Sequence, residues 1–138
     1  MFRKSIFLIL IIGTTFILAA LLPANQRNIG GPLKFPTPAT SVEMTNMLKF
    51  NPDTVRIKVG ETVRWHNTSD LVHSVTGDPS KATIKGSAQL PEGAKPFNSG
   101  MMDPKATFTH TFTVAGTYKY FCIPHEGVKM YGWVIVKE

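Results

Sequence analysis

The stretch from residue 118 to residue 133 constrains this chain more than any other part of it. It contains the only cysteine, Cys122, which is followed by His125 and Met130 in the spacing C-x2-H-x4-M. The runs immediately before and after these residues are rich in aromatic and β-branched side chains, which is typical of strands. A short loop between two strands therefore holds a thiol, an imidazole and a thioether close together in the chain.

These three donor types together indicate copper. Soft sulfur ligands and imidazole suit copper, whereas structural zinc sites use cysteine and histidine and seldom include a thioether. A blue-copper centre needs two histidines, one cysteine and a weak axial methionine, so one further histidine is required. Of the other three histidines, His66 and His110 lie inside alternating strand patterns, whereas His73 lies in a short β-branched segment after a polar turn. His73 is therefore the best candidate for the second imidazole.

The arrangement resembles the cupredoxins, in particular the plastocyanin, pseudoazurin and halocyanin group. The resemblance covers residues 41–138 and rests on these motifs: Trp65-x-Asn67, the isolated His73, Phe108-x3-Phe112-x3-Gly116-x-Tyr118, Cys122-x-Pro124-His125 and Met130-x-Gly132. It implies a Greek-key β-sandwich and one-electron transfer by one type 1 copper ion, held by His73, Cys122, His125 and Met130. It also implies that the Ser74 N–H donates to the Cys122 sulfur, and that Pro124 removes a second donor because it lacks an N–H.

The first forty residues differ in composition from the rest of the chain. After Arg3 and Lys4, residues 5–22 are mostly apolar and uncharged, a length near the lower limit for a membrane-spanning helix. Residues 1–22 are interpreted as a signal peptide or an N-terminal membrane anchor, and both alternatives export the protein to the periplasm or the extracytoplasmic face of a membrane. Residues 23–40 are rich in proline and glycine, which predicts a linker. Residues 41–138 are then a single plastocyanin-like copper-binding domain.

Alternating side chains predict an all-β fold for this domain. Residues 55–59 and 63–65 alternate clearly and are separated by a Gly60-Glu61 turn, which favours an antiparallel pair. Residues 77–104 have weak periodicity and many small or turn-forming residues, which predicts a long excursion with one short strand near Phe97. Further strands are predicted where the pattern continues, at 42–48, 107–113, 117–122 and 133–136. Because no amphipathic helix pattern appears, we expect a β-sandwich.

Composition and ligand count exclude several classes of function. The 15 basic and 9 acidic residues give a formal net charge of +6, but no basic run or basic helix indicates nucleic-acid binding. A copper oxidase or nitrite reductase would need further copper sites with additional histidines, whereas this chain has four histidines and no H-x-H pair. A two-copper electron-accepting centre would need a second cysteine. A copper chaperone or storage protein is the remaining alternative, distinguished by rapid copper exchange and no intense blue colour.

The adjacent methionines Met101 and Met102 point to opposite faces of an extended chain, which favours packing roles over copper transport. We therefore expect a monomeric electron carrier, not an enzyme, with donor and acceptor redox proteins of the cytochrome or copper-enzyme type. The resemblance implies that the far edge of the His125 ring lies at the surface, where an apolar patch would allow short-lived docking. The positive net charge, with Lys129 beside this patch, would steer an acidic partner surface toward it.

Overall fold

The computed structural model describes residues 40–138, which form two β-sheets and two short 3₁₀ helices. The strands are β1 (Thr40–Met44), β2 (Phe50–Asn51), β3 (Thr54–Lys58), β4 (Thr62–Asn67), β5 (Thr76–Gly77), β6 (Phe97–Asn98), β7 (Thr107–Thr111), β8 (Gly116–Phe121) and β9 (Tyr131–Lys137). The helices are Pro79–Lys81 and Ile123–Val128. The predicted signal peptide or anchor at residues 1–22 lies outside the described residues, as does the predicted linker up to residue 39. Across residues 40–138, no helix has both the length and the apolar character needed to cross a membrane.

The two sheets have different strand orders. One contains β2-β1-β4-β7 and the other β3-β9-β8-β5-β6. The chain changes sheet at five connections between consecutive strands, which are β2–β3, β3–β4, β4–β5, β6–β7 and β7–β8. Such crossings between the layers are expected of Greek-key connectivity in a sandwich. The predicted all-β Greek-key sandwich is confirmed.

The predicted antiparallel pairing of residues 55–59 with residues 63–65 is wrong. Strand β3 pairs in parallel with β9, while β4 pairs in parallel with β1 and antiparallel with β7. Gly60 has a φ of +87° and turns the chain from one sheet into the other. Both strands bury their apolar residues in one core, but they approach it from opposite sides. Alternation shows which face of a strand is buried and does not identify its partner.

The first predicted strand is shorter than the alternation at residues 42–48 indicated. Strand β1 ends at Met44, and the Leu48 N–H donates to the Thr45 carbonyl at 3.0 Å, which closes a turn. Leu48 takes a left-handed φ of 55°, which a strand does not allow. The turn returns the chain to β2, where Phe50 pairs with Met44. The short strand predicted near Phe97 is present as β6.

The core is built around Trp65, which is fully buried. Its ring lies 5.4 Å from Tyr120 in an edge-on arrangement, 5.8 Å from Phe108 and 6.2 Å from Phe97. Trp65 and Tyr120 belong to opposite sheets, so this contact joins the two layers. Each ring is followed two residues later by a residue of the candidate site, Asn67 or Cys122. The packed aromatic core therefore fixes the two strand ends from which the site is built.

Candidate metal centre

Three donor side chains from two loops converge at one end of the sandwich. The candidate donor atoms of His73, Cys122 and His125 all lie within 4.8 Å of one another. Cys122 Sγ is 3.5 Å from His73 Nδ1 and 3.3 Å from His125 Nδ1. The two imidazole centroids are 4.8 Å apart, and His73 and Cys122 are buried while His125 is partly exposed. Two ring nitrogens and one sulfur thus face a common point, in the arrangement that a single soft metal ion needs.

Met130 closes the loop that carries Cys122 and His125. The Cys122 N–H donates to the Met130 carbonyl at 3.1 Å, and the Met130 N–H donates to the His125 carbonyl at 3.3 Å. The Met130 side chain is almost fully buried and belongs to the core cluster that also contains Cys122. The backbone bonds hold the C-x2-H-x4-M segment as a compact loop between β8 and β9. The thioether is the fourth candidate ligand.

His73 is positioned by a second, separate loop. Its N–H donates to the Met102 carbonyl at 3.1 Å and its carbonyl accepts from the Met102 N–H at 2.7 Å, forming an isolated antiparallel bridge. The buried Asn67 amide donates to the carbonyls of Leu71 at 2.7 Å and Met102 at 3.0 Å. Its side-chain oxygen accepts from the N–H and hydroxyl of Ser69. Asn67 therefore cross-links the two segments that hold His73, a role that its position at the end of a strand pattern did not reveal.

The Cys122 sulfur accepts one backbone hydrogen bond. The Ser74 N–H donates to Sγ at 3.2 Å, as the resemblance implied. Pro124 has no N–H to offer, and the Ser74 hydroxyl instead accepts from the Ile123 N–H at 2.7 Å. Burial raises the pKa of the Cys122 thiol, an effect that hydrogen bonding from Ser74 and from the His125 backbone partly offsets. Burial, together with the neighbouring His125, lowers the pKa of His73.

These properties fit a copper ion. With both pKa shifts, the metal-free site favours a neutral thiol and a neutral His73 imidazole, so no uncompensated charge is buried there. A neutral imidazole is ready to bind metal, while the thiol must lose its proton on binding. Thiolate, two imidazoles and a thioether form the donor set of a type 1 site.

Glu126, which the sequence did not single out, is part of the same loop. Its side chain is only 6% exposed, and its two carboxylate oxygens accept from the N–H groups of Ile84 at 2.9 Å and Thr83 at 3.1 Å. Burial alone would raise the pKa of this carboxyl, but hydrogen bonds from Ser87, Ile84 and Thr83 hold it below its ordinary value. A lone acidic residue in a loop carries no sequence signal for such a contact, because its donors are backbone groups some forty positions away.

The other candidates from the sequence lie outside the cluster. His110 stacks on Phe97 with ring centroids 4.5 Å apart, and His66 is a partly buried residue of β4. Met102 is buried whereas Met101 is 60% exposed, so the adjacent methionines point to opposite sides as predicted. Lys129 takes a left-handed φ of 60° immediately before Met130, a conformation that glycine adopts more readily.

Comparison with known proteins agrees with this geometry. The sequence profile of copper binding proteins of the plastocyanin/azurin family matches residues 37–137. The chain is 34% identical over 90 residues to plastocyanin of Scenedesmus fuscus, which covers 65% of this chain and 88% of that protein. It is 33% identical over 93 residues to amicyanin of Paracoccus denitrificans, which covers 65% of this chain and 60% of the relative. It is 35% identical over 94 residues to halocyanin of Natronomonas pharaonis, which covers 67% of this chain and 50% of the relative.

Solved structures give the same result. A copper(I) form of an amicyanin variant superposes with a TM-score of 0.56 at 31% sequence identity, covering 75% of this chain and 87% of the other. A reduced form of a second amicyanin variant superposes with a TM-score of 0.57 at 30% identity, over the same shares of the two chains. The fold, the donor set at the end of the sandwich and the profile match agree, and the chain belongs to the plastocyanin/azurin family of copper-binding proteins, the cupredoxins.

Proposed function

We propose that this protein is a one-electron carrier whose copper ion is held by His73, Cys122, His125 and Met130. As a cupredoxin the protein takes one copper ion, and the bound ion supplies a Cu(I)/Cu(II) couple. The observation that carries the proposal is the convergence of Cys122 Sγ with two imidazole Nδ1 atoms at 3.3 and 3.5 Å. A donor set that is already in place requires little movement when the charge at its centre changes.

The surrounding residues favour electron transfer over substrate chemistry. Hydrogen bonds hold the loops that carry the ligands. Met102 and Asn67 hold the loop of His73, and the Ser74 N–H binds the Cys122 sulfur, so the ligands resist rearrangement. Four protein ligands around one ion leave no open position of the kind that a catalytic metal site keeps for substrate. We therefore propose a carrier without enzymatic activity of its own.

Spectroscopy and voltammetry of the copper-loaded protein test this function. We expect intense visible absorption from thiolate-to-copper charge transfer, a narrow copper hyperfine splitting in the EPR spectrum and one reversible one-electron wave. Weak colour with rapid transfer of copper to a chelator would instead support a chaperone or storage protein. Absence of the reversible wave would contradict the carrier function.

We propose that redox partners dock on the exposed apolar side chains of the loops that carry the ligands. We define the docking patch as the exposed apolar residues on the loops that carry the ligands, namely Leu71, Val72, Met101 and Val128. Val72 precedes His73, Met101 precedes the Met102 bridge to His73, and Val128 follows His125 in the ligand loop. Exposed apolar side chains on the loops that carry a partly exposed ligand ring suit a small, short-lived interface. Lys129 adds a positive charge beside it, which favours an acidic partner.

Substitutions in the ligand loop test the docking patch. Val128, which is 63% exposed, can be replaced by glutamate without burying a charge, and we expect Val128→Glu to slow electron exchange with the physiological donor or acceptor at any salt concentration. Lys129→Glu should slow it mainly at low ionic strength, because salt screens an exposed charge. Stopped-flow reduction across a salt series measures both effects, with an unchanged visible spectrum as the control. Parental rates for both variants at every salt concentration would place the docking site elsewhere.

The proposal extends to export and oligomeric state. We propose that residues 1–22 act as a signal peptide or a membrane anchor, that residues 23–40 form a linker, and that the copper domain is a monomer in the periplasm or at the extracytoplasmic face of a membrane. The apolar, uncharged run after Arg3 and Lys4 supports export. The intact mass of the mature protein distinguishes a cleaved signal from a retained anchor. Recovery of the protein only in the cytoplasmic fraction would contradict export.

A further inference from the structure

The excursion between β5 and β6 is joined to the ligand loop by one buried carboxylate. Glu126 follows His125 in the chain, and its oxygens accept from the backbone N–H groups of Thr83 and Ile84. Thr83 and Ile84 themselves pair with no strand, and the excursion pairs with β8 only farther along, in the isolated bridge between Gln89 and Lys119. Nearby, Lys119 Nζ donates to the Gly86 carbonyl at 2.7 Å, and the Ser87 hydroxyl, which also hydrogen-bonds Glu126, lies 3.2 Å from that of Tyr131.

The hydrogen bonds of the Glu126 carboxylate are stronger and more directional than a packing contact. Burying a carboxylate is unfavourable unless strong hydrogen bonds compensate for the lost water, and bonds from N–H groups to a charged acceptor are among the stronger ones. Two donors on consecutive residues bind the two oxygens of one carboxylate, which fixes both the position and the orientation of the side chain. A neutral amide could accept from only one of these N–H groups and would direct its own N–H toward the other.

We propose that Glu126 is a positioning residue of the metal centre, which clamps the His125 loop to Thr83 and Ile84 and lowers the reduction potential by holding a negative charge on the residue next to a ligand. This inference rests on the proposed electron-carrier function. The clamp fixes the residue next to His125 before any metal binds. The charge favours the more positive Cu(II) state over Cu(I), because a negative charge attracts the more highly charged ion more strongly.

The test uses the full chain and three variants. Glu126→Gln removes the charge and one acceptor at nearly constant volume. Thr83→Pro removes the N–H and hydroxyl donors of Thr83 but leaves the carboxylate. Ala82 before it already has the extended backbone, with φ −80° and ψ 130°, that a following proline requires. Glu92→Gln removes the same charge from an exposed position on the same excursion and is the matched control.

The clamp is measured in the metal-free protein by amide hydrogen exchange. We expect exchange of the Ile84 N–H to become at least about tenfold faster in Glu126→Gln and faster in Thr83→Pro, because each loses a charge-assisted hydrogen bond. Glu92→Gln should exchange at the parental rate. Parental exchange at Ile84 in Glu126→Gln would overturn the clamp, whether or not the protein carries electrons.

The charge effect is measured as the reduction potential of the copper-loaded protein. We expect Glu126→Gln to weaken Cu(II) relative to Cu(I) binding by about tenfold, which raises a one-electron potential by about 59 mV. Thr83→Pro and Glu92→Gln should shift the potential less, because the buried charge is retained. An unchanged potential in Glu126→Gln, or an equal rise in Thr83→Pro, would overturn the charge effect. If the parent protein shows no reversible voltammetric wave, the electron-carrier function itself is contradicted. Amide hydrogen exchange of the metal-free protein would still show whether Glu126 clamps the loop.

Discussion

Replacement of Cys122 by serine is expected to abolish the intense visible absorption of the copper-loaded protein while leaving the sandwich folded. Cys122 is the only cysteine, so no other residue can supply a thiolate for charge transfer to copper. A serine oxygen is a poor replacement, since it is a hard donor and stays protonated at neutral pH. The loss should be complete and not partial, which makes this the largest spectroscopic effect that a single change can produce.

The fold should tolerate this replacement. Serine is slightly smaller than cysteine, and its hydroxyl can accept from the Ser74 N–H that now donates to Sγ. Visible absorption of the loaded protein and far-ultraviolet circular dichroism of the metal-free protein measure the two properties separately. Met101→Leu, which removes an exposed sulfur at the same end of the molecule, should keep the colour. Intense blue colour in Cys122→Ser would eliminate Cys122 as a ligand.

The largest effect on stability is expected from Gly132→Ala. Gly132 lies in β9, and a Cβ at this position would overlap the Cζ and hydroxyl of the fully buried Tyr120 ring. Tyr120 cannot move away, because Trp65 at 5.4 Å and Phe50 at 4.7 Å hold its ring within the core. Forcing an extra group into a packed core costs about 3 kcal/mol, equivalent to a fall of about 10–20 °C in the melting temperature of a domain this size.

Gly127→Ala is the matched control for this stability prediction. A Cβ at Gly127, in the same region of the chain, would meet nothing within 4 Å. Thermal unfolding of the two metal-free variants should therefore show a large loss for Gly132→Ala and little change for Gly127→Ala. Similar melting temperatures for both would mean that the backbone of β9 shifts to accommodate the added methyl group.

The sequence was sufficient for the fold class and the grouping of donors, because both depend on local patterns. Alternation identifies which residues of a strand are buried, and the loop spacing alone brings Cys122 near His125. The pairing of β3 with β9 was not predictable in this way, since a parallel neighbour distant in sequence leaves the same alternation as a hairpin partner. The end of β1 was missed because Met44 and Leu48 continue the apolar pattern across a turn.

The contacts that position the ligands were also beyond the reach of sequence patterns. Asn67 and Glu126 bind backbone groups of loops, and any residue type can supply a backbone N–H or carbonyl. The residue type of the partner therefore does not reveal such a contact. The structural roles of the Glu126 carboxylate and the Asn67 amide are apparent only when the loops are folded against them.

The parallel pairing of β3 with β9 has a consequence for how the protein is made. Among the strands of residues 40–138, β3 has no neighbour in its sheet other than β9, which follows all the others in the chain. A chain still emerging from the ribosome or a translocation channel contains His73 long before it contains the strand that ends the ligand loop. Pairings that span so much of the chain form late and slowly. We therefore expect the ligand loop to reach its final geometry late in folding, after β9 has paired with β3.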